Sequence, residues 1–77
     1  MTARMSPHAR DRCAEMGIRT RVAKQIVANH DVSYESDGRV LAASDRHPGI
    51  TVVYAPEDPP VVVTVVWRTP ERWERTT

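Results

Sequence analysis

The sequence predicts an α+β domain, with two N-terminal helices packed on one face of a four-stranded antiparallel sheet. Three observations lead there. Apolar residues recur at helical spacing as far as Val27. From residue 32 onward, β-branched runs alternate with turn signals at hairpin-length intervals. Near the end stands Val61-Val62-Val63-Thr64-Val65-Val66-Trp67, opened by Pro59-Pro60 and closed by Pro70. Stiff β-branched side chains suit a pleated surface, and a continuous apolar run of this length reads as a strand inside a sheet.

Ser6-Pro7 is a helix start, with Ser at the N-cap and Pro in the first turn. Met5, Ala9, Cys13 and Met16 form the inward stripe, and Gly17 ends the helix. Thr20 is read as the N-cap of a second helix, whose apolar face is Val22, Ala23, Ile26 and Val27. Asn29 and His30 close it, and the short link from Gly17 to Thr20 implies a helical hairpin. Val32 to Ser36 then runs into Asp37-Gly38, a strong hairpin signal, with Arg39 to Ser44 returning. Ile50 to Ala55 and Val61 to Trp67 complete a meander. Alternation along the last strand puts Val61, Val63, Val65 and Trp67 on the face beneath the helices. Val62, Thr64, Val66 and Arg68 take the other, where a hydroxyl and a guanidinium would sit on a rigid element. Beyond Pro70, Trp73 is expected to dock on the sheet through a helical turn or to fray with the tail.

A chain of 77 residues with 27% charged and 40% apolar residues reads as one globular domain. It has no apolar run long enough to span a membrane and no signal-peptide core at the N-terminus. Lone Cys13 builds no disulfide framework and lies in the apolar stripe, so a packed thiol in a cytoplasmic protein is expected. Net charge is only +1, yet residues 1–30 carry +4, residues 31–60 carry −4 and residues 61–77 carry +1. A basic helical half suggests a polyanion partner, against the plainer reading of solvated helix faces. Ten of the eleven cations are Arg, which matches phosphate geometry, although a GC-rich genome gives the same bias.

The sequence has no Gly-rich phosphate loop, no zinc-spaced Cys/His set and no Ser/His/Asp arrangement. His8, His30 and His47 fall on different elements, so no metal or cofactor is expected. His8 and Arg12 lie one helical turn apart. Near the positive end of the helix dipole His8 would favour its neutral form, which suits a general base. A lone surface His more often has no function.

Ser6-Pro7-His8-Ala9-Arg10-Asp11-Arg12, Gly17-Ile18-Arg19, Val22, Asp37-Gly38-Arg39 and Val63-Thr64-Val65 together resemble a family of small bacterial and phage domains. Those domains are similar to the RelE/ParE toxins and the wider barnase-like and colicin-like ribonucleases. The resemblance spans residues 6–68 and implies a RelE-like domain over residues 1–68, with residues 69–77 as a tail. For the wider group it implies metal-independent RNA cleavage, in which a 2′-hydroxyl attacks the adjacent phosphate. His8 would then be general base or acid, Arg12 would bind the scissile phosphate and Thr64 would position one of its oxygens. Arg21, Lys24, Arg39 and Arg68 would be the nucleic-acid-binding set.

The expectation is a toxin-like protein that binds RNA, ribosome-associated RNA included, with cleavage left open. A toxin of this kind would have an antitoxin partner. The competing reading is a non-catalytic module, a phage or mobile-element accessory protein that inhibits a host protein through a Val-rich edge or Trp73.

Overall fold

The computed structural model describes residues 3–68 and the strand at residues 74–75, so the expectation for Trp73 lies outside the described residues. The elements are β1 (Arg4–Met5), α1 (Pro7–Met16), α2 (Thr20–Ala28), β2 (Val32–Ser36), β3 (Arg39–Ala43), β4 (Ile50–Ala55), β5 (Val61–Trp67) and β6 (Glu74–Arg75). The fold is α+β, as the sequence predicts.

Local chemistry explains the boundaries. Ser6 Oγ accepts the Ala9 N–H at 3.0 Å and caps α1. Gly17, at φ 71°, turns the chain out of α1, and the Ile18 N–H returns to the Cys13 carbonyl. The N-cap of α2 is Arg19 rather than Thr20 and makes no side-chain cap. The β2–β3 hairpin turns on Asp37 and Gly38 at φ 51° and 74°, the paired positive angles that a tight two-residue turn requires.

The predicted four-stranded antiparallel sheet is corrected in one respect. β2, β3, β4 and β5 do form the antiparallel meander, but the order is β1-β5-β4-β3-β2-β6, and β1 runs parallel to β5. The sheet is therefore mixed. β1 exists because the Arg4 N–H finds the Pro60 carbonyl just before β5, at 2.8 Å, and the Ser6 N–H finds the Val62 carbonyl within it, at 3.0 Å. β5 thus lies inside the sheet, with strand pairing on both sides only at Val61 and Val62.

A second correction concerns which residues face the helices. Val53 pairs with Thr64 and Tyr54 with Val62, so Val63 is an extra residue, a β-bulge. Simple alternation fails there. Val65 lies in the core as expected, but its companion there is Val62, not Val61 and Val63, alongside Ala9, Cys13, Ala23, Ile26, Ala42 and Val52. Thr64 falls on the side away from the helices, as expected.

Candidate nucleic-acid interface

The helices cover one side of the sheet, so the register decides what the other side shows. Residues paired directly across antiparallel strands point to the same face. Ala42, Val52 and Val65 share one cross-strand row and are buried under the helices. Their neighbours along each strand must therefore face away.

Three rows make up this open face. Val32, Ala43, Thr51 and Val66 are one row, and the first three of these are buried. There the Thr51 hydroxyl donates to the Arg68 carbonyl at 2.9 Å, so the chain leaving β5 bends over that end. Tyr34, Leu41, Val53 and Thr64 are the next row, half-buried except for Tyr34, which is 53% exposed. The last row holds Ser36 and Arg39, then Ala55, Val61 and Arg4. Arg39 falls opposite Ala55 by continuing the β3–β4 register. Arg4 and Arg39 are both exposed and flank the small Ala55 and Val61. Counting strands, they stand about 14 Å apart, three sheet spacings. Arg68 follows Trp67, whose partner Ile50 is on the helix side, so alternation assigns Arg68 to the open side.

No carboxylate holds a register position on this side of β1 to β5. The acidic residues of the β half sit elsewhere. Asp37 is in the hairpin turn and Glu57 and Asp58 in the β4–β5 turn, whereas Glu35, opposite Val40 and through it Tyr54, is on the helix side. These four carboxylates therefore hold no register position on the open face.

The sequence-predicted residues divide between the two sides. Thr64, Arg39 and Arg68 gather on the open face. His8, Arg12, Arg21 and Lys24 belong to the helix layer, where His8 and Arg21 are exposed and Lys24 is half-buried. α1 lies along the rim of β5. Ser6 Oγ donates to the Val63 carbonyl at 3.0 Å, and Arg12 Nε donates to the Val65 carbonyl at 3.2 Å. His8 and Arg12 thus flank β5 from the helix side, while Thr64 points from the same strand to the opposite side. Arg12 also meets Glu15 at 3.7 Å. Its guanidinium is engaged in holding the helix to the strand.

Tyr34 and Arg4 were missed by sequence reasoning. Tyr34 shares parity with Val32 and Ser36 and could have been found from the hairpin. Arg4 could not, because β1 is too short to show a pattern.

A separate groove of about 490 Å³ opens at the end of α2, lined by Asn29, His30, Asp31, Ser44, Asp45 and Arg46. His30 Nδ1 donates to the Val27 carbonyl, and His47 Nε2 bonds Gln25 Oε1, both at 3.2 Å. The Asp31 carboxylate accepts the Asp45 N–H at 2.7 Å. Two carboxylates at a helix C-terminus make this groove unfavourable for phosphate. Among the described residues no three His, Cys, Asp or Glu side chains are grouped to hold a metal ion, and no helix is long and apolar enough to cross a membrane. Compared with models of known protein families, with curated proteins and with solved structures, the chain matches none.

Proposed function

We propose that this domain binds RNA without cleaving it, and that the open sheet face is its contact surface. One observation carries the reading. Among the described residues, Arg4, Arg39 and Arg68 share a face with an exposed aromatic and no carboxylate, although residues 31–60 carry −4. Phosphate contacts supply most of the affinity in such complexes. Cleavage by His8, Arg12 and Thr64 is not part of the proposal, because a reacting phosphate would have to meet groups on two sides of β5 at once.

The test is binding of a labelled single-stranded RNA across a salt series. Affinity should fall as salt rises, and Arg4→Glu with Arg39→Glu should weaken binding and flatten the slope by about one unit per lost contact. Arg21→Glu with Lys24→Glu should change it little. The reverse pattern would move the surface to the helix layer.

The half-exposed Leu41, Val53 and Val66 favour a second reading, a protein partner seated on the same face. Binding to that partner would tolerate the arginine reversals and high salt.

A further inference from the structure

We infer that the ligand of the open face is an unpaired strand with one base stacked on Tyr34, an inference that rests on the nucleic-acid reading of that face. Tyr34 is paired with Leu41 on β3, and half of its surface stands clear of the sheet. Arg39 is its diagonal neighbour across the β2–β3 ladder, about 7–8 Å away in such a pair. A base lying on the Tyr34 ring leaves its own phosphate within reach of the Arg39 guanidinium. Further along the row, past Ala55 and Val61, Arg4 can take a second phosphate. The strand would then run across the sheet's strands, over small side chains that let it approach closely. Leu41 and Thr64 complete the Tyr34 row, one offering an apolar surface and the other a hydroxyl.

This arrangement selects against a duplex. A paired base has both faces covered by its neighbours in the stack, so a ring on a flat sheet reaches only an unpaired base. Both helices of the described residues lie on the other side of the sheet, so neither can enter a groove from this side.

The experiment compares a labelled ten-residue uridine RNA with the same strand annealed to its complement, at low salt. The wild-type protein should bind the single strand at least about tenfold more tightly. Tyr34→Ala should weaken single-strand binding by roughly 5- to 100-fold, the usual worth of base–aromatic stacking, and Tyr34→Phe should retain it. Circular dichroism melting should show both variants folded at the assay temperature, with Tyr34→Phe close to wild type, since about half of Tyr34 faces solvent. Equal affinity for both forms with a silent Tyr34→Ala would overturn the stacking inference. Should the Arg4 and Arg39 reversals also be silent, the nucleic-acid reading of the face falls with it.

Discussion

The Arg12 guanidinium donates through Nε to the Val65 carbonyl, tying the middle of α1 to the rim of β5 beyond the point where β1 stops. An outer strand with unpaired carbonyls invites pairing with another chain, and a charged side chain laid along it closes that opening. Arg12→Ala should therefore cost stability and promote association. We expect a loss of about 1–2 kcal/mol in urea unfolding, somewhat below the usual worth of a charged hydrogen bond because the side chain is partly exposed. Light scattering should show more aggregate on mild heating.

Ser6 serves two partners, capping α1 through Ala9 and holding the Val63 carbonyl. Ser6→Ala removes both at once. The expected cost is about 1–2 kcal/mol, at the upper end for a helix cap. Ser6→Gly should recover part of the capping share, since glycine is a fair N-cap, but not the bond to the Val63 carbonyl.

Ile26 is fully buried where α2 meets the sheet. Truncation to alanine leaves a void in a small core, which costs about 2–5 kcal/mol. A chain of this size has little to spare, and Ile26→Ala should lower the melting temperature by ten degrees or more or abolish folding. Ile26→Val should be far milder.

Burial pushes the Cys13 thiol above its ordinary 9.0, and burial together with the charge of Glu35 pushes the Tyr54 phenol above 10.0. In both cases the folded chain holds the proton more tightly than the unfolded chain does. Stability should stay level below about pH 9 and decline as pH climbs through 9–10 and beyond. Denaturation midpoints measured from pH 7 to 10.5 check this. In Cys13→Ala the decline should be shallower and begin later. A thiol reagent at neutral pH should label Cys13 only when the protein unfolds.

His8 is exposed on α1, in the helix layer, whereas Thr64 takes the sheet face turned away from the helices. His8→Ala should leave both melting temperature and RNA affinity within error of wild type, and purified protein should not cleave the bound strand. Cleavage that disappears in His8→Ala would restore the catalytic reading and displace the proposed one.

Local signals were the legible ones. Ser6-Pro7, Gly17 and Asp37-Gly38 act through backbone angles and caps within a few residues, and each marks a boundary where the structure has one. What depends on remote partners was not legible. Five valines in seven positions hide the register, because an extra residue leaves the apolar pattern unchanged. Two residues at β1 are too few to show alternation, and their pairing depends on carbonyls more than fifty positions away. Arg12 looked like a phosphate ligand because it stands one turn from His8. The β5 rim, which only the folded chain creates, gives it a structural task instead. Alternation along the last strand already set Thr64 and Arg68 on one face, and the meander brings Arg39 to the same side.

Val63 has no partner on β4, so it is the one residue of β5 that the ladder can do without. Deleting Val65 or Val66 would instead bring Thr64 round to the core side. Removing Val63 would leave Val62 inward, Thr64 outward and Val65 inward, the order that ordinary alternation demands. Val61, Val62 and Val63 are the same residue type, so losing any one of them gives the same chain, and the strand should tolerate that shortening. Its cost should be the Val63 carbonyl that Ser6 grips.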